Sequence, residues 1–172
     1  TSSLAVPPDC RCGQAGERVK APLLIDAGLL GSAEESADPR WMPLLSAFKQ
    51  VERPLVLLDE RPDGWTPTRN RVDRAFMRQA RIQAEIRRAG GALDAVIYLD
   101  SRLFGRKRQF ERNMADLANR YNCSRQSIHA LLRRGRIADA LSGIVGPIDR
   151  IDEDSQFEEA LRSTLEQDRA AG

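Results

Sequence analysis

Cysteine and histidine are scarce in this sequence. Its three cysteines, Cys10, Cys12 and Cys123, are too few for a framework of disulfides. Because His129 is the only histidine, the chain also lacks an obvious set of four ligands for structural zinc. We therefore expect free thiols and no metal centre built on cysteine and histidine.

Long apolar runs and a secretory signal are also missing. The apolar stretches fall well short of the roughly 20 residues that a membrane span requires. The opening residues, TSSLAVPPDCRCGQAGERVK, contain no apolar segment of signal-peptide length. We expect a cytoplasmic protein with a flexible N-terminal arm over residues 1–20. The 172-residue length suits one domain with a real core, which we place at 21–170.

Short apolar runs alternate with helical patterns along the rest of the chain. Apolar runs of strand length predict strands at 22–27, 54–58, 92–99, 128–132 and 144–151. Apolar residues at helical spacing predict helices at 39–50, 71–89, 106–121, 136–141 and 155–167. Strands joined by helical crossovers indicate an α/β fold, a doubly wound, mostly parallel sheet in a single domain. Ligands of such sheets bind at the carboxyl ends of the strands.

Five blocks of sequence between residues 20 and 168 match the motifs of a known family in order and spacing. They are LLIDAGLL, RPLVLLDERPDGW, AGGALDAVIYL, RKRQFERNMADLANRYNCS and RRGRIADALSGIVG. Together they resemble the haloacid dehalogenase superfamily, and within it the phosphatases that act on heptose bisphosphate and histidinol phosphate. The resemblance implies a Rossmann-like fold and magnesium-dependent hydrolysis of phosphate monoesters.

The resemblance also assigns roles to individual residues. Asp26 matches the aspartate that attacks phosphorus, and Lys107, with Arg106 beside it, matches the segment that binds phosphate. Asp26 and Asp139 are the expected ligands of Mg²⁺ if the protein is active. The catalytic pair implied by the resemblance is therefore Asp26 and Lys107.

Three motif positions depart from the family. Gly28 replaces the acid that protonates the leaving group, Asp59 replaces a phosphate-binding hydroxyl, and Arg136 replaces an aspartate that binds the metal. A guanidinium group has no lone pair to offer a metal ion. We expect a phosphatase-like pseudoenzyme that binds a phosphorylated small molecule or a protein partner, with residual phosphohydrolase activity as the remaining enzymatic option.

The segment 112–136 also fits a helix-turn-helix, which would make the protein a DNA-binding transcriptional regulator. In this alternative, Asn122 forms a left-handed turn and Ser124 caps the second helix. The residues left facing DNA would be Arg125, Gln126, His129, Arg133 and Arg134. The same residues also fit a helix, a turn and the fourth strand of the sheet. DNA is therefore a partner only in the helix-turn-helix alternative.

Charge is distributed unevenly although the formal net charge is only +2. Basic residues are concentrated between 102 and 136, whereas the segment DEDSQFEE near the C-terminus is acidic. Such asymmetry suits an anionic partner, and it also suits solvated helix faces that pair within the molecule.

Overall fold

Five strands form one sheet in the part of the chain that the computed structural model describes, residues 20–31, 38–61, 69–100 and 106–172. The strands are β1 (Leu23–Asp26), β2 (Leu55–Arg61), β3 (Ala95–Asp100), β4 (His129–Arg133) and β5 (Ile148–Ile151). The helices are α1 (Met42–Gln50), α2 (Arg69–Arg88), α3 (Arg106–Arg120), α4 (Arg136–Ser142) and α5 (Asp154–Ala171). None of these helices combines the length and the apolar character that a membrane crossing requires.

The sheet is parallel throughout and has the order β3-β2-β1-β4-β5. The predicted doubly wound α/β fold is therefore confirmed. Of the N-terminal arm predicted for residues 1–20, all but Lys20 lies outside the described residues, together with Cys10 and Cys12. The only cysteine within them, Cys123, is a free thiol.

β1 is the central strand, and its side chains are buried on both faces of the sheet. Leu23 pairs with Leu55 of β2 on one side and with His129 of β4 on the other. Leu23 and Leu24 point to opposite faces and both are completely buried. A parallel sheet covered on both sides requires apolar residues at every position, which explains the unbroken PLLI run.

Two helical layers provide this cover. One apolar core joins α1, α2 and α5 to one face of the sheet through Phe48, Ile86 and Leu161. The other core joins α3 and α4 to the opposite face through Phe110, Met114 and Leu141. Because the strands are all parallel, their carboxyl ends meet at one edge of the sheet between the two layers. We call this edge the carboxyl edge.

The helix-turn-helix alternative is wrong. Asn122 does adopt a left-handed conformation (φ 49°) at the end of α3, as that alternative expected. Beyond the turn, however, the chain forms a short 3₁₀ helix at Arg125–Ser127 and then β4, so no recognition helix exists. Ile128, Leu131 and Leu132 are completely buried, and burial on both faces of a sheet selects the strand.

The side chains assigned to DNA are also dispersed. Arg125 and Gln126 precede β4, whereas Arg133 ends that strand and Arg134 follows it at the other edge of the sheet, about 15 Å away along the strand. His129 opens β4, and its Nε2 lies 3.0 Å from Oδ2 of Asp149 on β5. These residues cannot form one surface along a groove of DNA.

A buried ion pair fastens α5 to the start of the sheet. Arg53 donates two hydrogen bonds to Asp168, at 3.0 and 2.6 Å, and its Nη1 donates to the carbonyl of Ala21 at 2.6 Å. The Arg53 side chain is 16% exposed and that of Asp168 is 6% exposed. The Arg53 guanidinium thus joins α5 to the segment that precedes β1.

Asp168→Asn should lower the free energy of unfolding by about 3 kcal/mol, because it leaves Arg53 buried without a counter-charge. Urea denaturation measures this change. Arg162→Gln is the matched control, since it breaks only the exposed Arg162–Glu158 pair within α5 and should cost less than about 1 kcal/mol. Equal losses in the two variants would contradict the special role of the buried pair.

Gly146 allows two backbone segments to touch. A Cβ atom at this position would lie 1.8 Å from the carbonyl oxygen of Gln126, so a side chain cannot be added without moving the backbone. We expect Gly146→Ala to cost at least about 2 kcal/mol of stability. Gly143→Ala, at a position with an ordinary φ of −88° and open space around its Cβ, should remain near wild type in the same denaturation experiment. Similar midpoints for both variants would refute this close contact.

Candidate functional site

Asp26 ends β1 at the carboxyl edge, as its place after an apolar run predicts. Its Oδ1 accepts a hydrogen bond from the amide of Gly28 at 2.9 Å, which caps the short 3₁₀ helix Ala27–Leu29. Its Oδ2 accepts a longer bond, 3.3 Å, from the amide of Arg133 at the end of β4. The carboxylate therefore joins the ends of two neighbouring strands through their backbones.

Arg133 extends over the turn that follows β1. Its Nη2 donates to the carbonyl oxygen of Gly28 at 2.8 Å. A Cβ atom on residue 28 would lie 3.2 Å from Asp26 Oδ1 and 3.4 Å from Arg133 Nε. The space that a side chain at position 28 would enter is thus bordered by the Asp26 carboxylate and by the Arg133 guanidinium.

Among the described side chains, none of the other predicted phosphatase residues makes a hydrogen bond or ion pair with Asp26. Lys107 is exposed in the first turn of α3; Arg106 begins that helix, and its side chain lies outside the described part. Asp139, in the first turn of α4, pairs through Oδ1 with Arg150 Nη1 at 3.0 Å. That ion pair holds Asp139 toward β5, on the far side of β4 from β1. The catalytic and metal-binding roles of these residues stay predictions.

Asp59 lies within β2 and does not follow it. The predicted strand ended at this residue, but β2 continues to Arg61 and pairs with β3 from Val56 to Arg61. Arg78 of α2, which sequence analysis did not single out, explains why a charge is tolerated there. Its Nη1 lies 3.3 Å from Asp59 Oδ2, and its Nη2 donates to the carbonyl of Gly31 at 3.4 Å.

A third arginine joins the starts of α1 and α5 at the carboxyl edge. Arg40 contacts the carboxylates of Asp38 and Asp154 at 2.5 and 2.7 Å and stacks on Trp41. The hydrogen bonds from Arg40 hold the pKa of Asp38 below its usual value. Arg40 is therefore engaged in structural contacts and is a poor candidate for binding a ligand.

Cys123 shows no sign of activation. It lies half-buried after α3, and burial raises the pKa of its thiol. A raised pKa lowers the fraction of reactive thiolate at neutral pH. This residue suits packing against the α3 and α4 core better than nucleophilic chemistry.

Magnesium does not fit the groups around Asp26. Mg²⁺ prefers octahedral coordination by carboxylate, carbonyl and water oxygens. Asp26 and the Gly28 carbonyl provide such oxygens, but the Arg133 guanidinium already binds that carbonyl with a positive charge. Within the described residues, no group of three or more His, Cys, Asp and Glu side chains is placed to hold a metal ion.

Solved structures show what this architecture is similar to. The D,D-heptose 1,7-bisphosphate phosphatase from B. bronchiseptica, complexed with magnesium and phosphate, matches with a TM-score of 0.61 and 13% identity, over 88% of this chain and 99% of that protein. The chain has a haloacid-dehalogenase-like fold. An uncharacterized protein from Corynebacterium glutamicum matches with a TM-score of 0.54 and 15% identity, over 86% of this chain and 94% of the other.

Sequence comparison gives no corresponding match. No protein-family model matches the chain, and no curated protein does. At such low identities the structural similarity establishes the fold alone, so the function has to be argued from the residues at the carboxyl edge.

Asp26→Ala should lower the free energy of unfolding by about 1 to 2 kcal/mol, because the amides of Gly28 and Arg133 lose their acceptor. Asp26→Asn keeps an oxygen that can accept from Gly28 and should cost less. Urea denaturation of both variants tests this structural role. Wild-type stability of Asp26→Ala would rule it out.

Proposed function

We propose that this protein is a catalytically degenerate relative of the haloacid-dehalogenase-fold phosphatases, one that binds a phosphorylated small molecule without hydrolysing it. Gly28 carries the proposal. It stands where the family resemblance requires the acid that protonates the leaving group, and a general acid contributes about 10²- to 10⁴-fold to a rate. Asp26 alone would have to supply both the nucleophile and the acid.

The contacts of Asp26 support the same conclusion. Both carboxylate oxygens accept backbone hydrogen bonds, so the side chain is used to connect β1 to β4. The other acid of the proposed metal pair, Asp139, is bound to Arg150. Phosphoryl transfer depends on cations and donors aimed at the transferred group, and the described residues offer no cluster of metal ligands for it.

Positive charge at the carboxyl edge supports binding of a phosphate group. Lys107 is exposed in the first turn of the 15-residue α3, and no ion pair engages it among the described side chains. The amides at the start of a long helix also favour an anion. Lys107 and these amides together form the proposed phosphate-binding position.

p-Nitrophenyl phosphate should bind to the protein without being hydrolysed. In the presence of Mg²⁺ we expect the same background release of p-nitrophenol from the wild type and from Asp26→Asn. In ¹H–¹⁵N spectra we expect the ligand to shift the amides at the start of α3. Lys107→Ala should weaken this binding by about tenfold, as loss of one charge-assisted contact predicts.

Lys49→Ala is the matched control for the binding measurement. Lys49 is an exposed lysine near the end of α1, which leads into the start of β2 and so lies at the opposite edge of the sheet. Its loss should leave the affinity unchanged. Hydrolysis that depends on Asp26 would overturn the claim of degeneracy, and equal binding by both lysine variants would overturn the proposed position.

A further inference from the structure

We infer that the Arg133 guanidinium acts as a tethered cation that occupies the place of a divalent metal ion at the end of β1. The inference rests on the proposed function and extends it, because it says why the site takes no metal. The oxygens that a hard cation would use are present. The feature that excludes the cation is the side chain at the end of β4.

Two oxygen donors at the turn after β1 suit a hard cation. They are the Asp26 carboxylate and the carbonyl oxygen of Gly28, and Mg²⁺ and Mn²⁺ are bound by such oxygens. The hydrogen bond from the Gly28 amide to Asp26 Oδ1 keeps the carboxylate next to this turn. Both groups belong to the same turn at the carboxyl edge.

Arg133 already donates a hydrogen bond to one of these oxygens. Its Nη2 lies 2.8 Å from the Gly28 carbonyl oxygen, and its Nε would lie 3.4 Å from a Cβ atom on residue 28. The guanidinium and the Asp26 carboxylate do not form a direct ion pair; they face each other across the space beside Gly28. A divalent ion bound to the two oxygens would be brought against a permanent positive charge.

Covalent attachment makes this exclusion persistent. Arg133 ends a strand whose register against β1 is fixed by pairs such as Leu24 with Ala130. Its own amide also donates to Asp26 Oδ2, which fixes the start of the side chain at this edge. The guanidinium is exposed, but it cannot diffuse away or be chelated, so a positive charge stays tethered beside this turn at any metal concentration.

An acid introduced at position 28 would not be enough to create a metal site while Arg133 is present. A carboxylate introduced by Gly28→Asp would project between Asp26 and Arg133, and the guanidinium would pair with it. Restoring the acid alone should therefore not restore metal binding. Removing the arginine as well should leave two carboxylates and a carbonyl facing one space, which is a suitable oxygen site.

Mn²⁺ titration followed by paramagnetic broadening of amide signals tests the inference without any activity measurement. Four proteins form the set: wild type, Gly28→Asp, Arg133→Met, and the double variant. We expect no selective broadening at residues 26–29 in the first two, weak broadening in Arg133→Met, and in the double variant an affinity at least about tenfold higher than in Gly28→Asp.

Arg134→Met is the matched control, because it removes the adjacent arginine, whose Nε lies 3.0 Å from Asp152 Oδ2 and away from Gly28. It should behave like the wild type. Arg133→Gln provides a second neutral variant that can still donate to the Gly28 carbonyl, in case Arg133→Met fails to fold.

Selective Mn²⁺ broadening at residues 26–29 of the wild type would overturn the inference, whatever the variants do. Equal affinity of Gly28→Asp and the double variant would show that Arg133 does not exclude the ion. Absence of binding in the double variant would show that the oxygens do not converge. These outcomes are distinct from failure of the proposed function, which would appear as hydrolysis dependent on Asp26.

Discussion

Complete burial of the central strand is the constraint on which the rest of this structure depends. β1 lies between two strands and under two layers of helices, so neither of its faces can carry an unpaired polar side chain without losing hydration. Polarity is consequently confined to its last residue, Asp26. The carboxyl edge becomes the one place where the strand can do chemistry or make polar contacts, and the neighbouring elements are arranged around that residue.

Parallel pairing then decides what meets Asp26. Because β4 runs beside β1 in a fixed register, its final residue emerges next to the turn after β1, and Arg133 contacts Gly28 there. Because Gly28 has no side chain, the space between the Asp26 carboxylate and the Arg133 guanidinium stays open. A site that keeps its carboxylate and faces a cation from the same chain is the arrangement on which the proposed binding role rests.

Local patterns predicted the fold well because burial leaves a strong local signal. The apolar runs ending near Asp26 and Leu58 mark strands, and the Gly90–Gly91 stop marks the end of α2. Contacts between distant residues were not predictable in this way. The Arg133–Gly28 bond spans 105 positions, and Arg78 is needed to explain why β2 continues through Asp59. The ambiguity at 128–132 was likewise settled by tertiary burial, since short apolar runs suit either a strand or a helix.

The buried pair between Arg53 and Asp168 has a consequence for biosynthesis. Arg53 lies just before β2, whereas Asp168 lies near the end of α5, which follows every other element in chain order. A ribosome-bound chain that already displays all five strands still leaves this guanidinium without its counter-ion and one face of the sheet without Phe157 and Leu161. The domain therefore completes its core only after α5 has left the exit tunnel, and until then the apolar surface that α5 covers stays exposed.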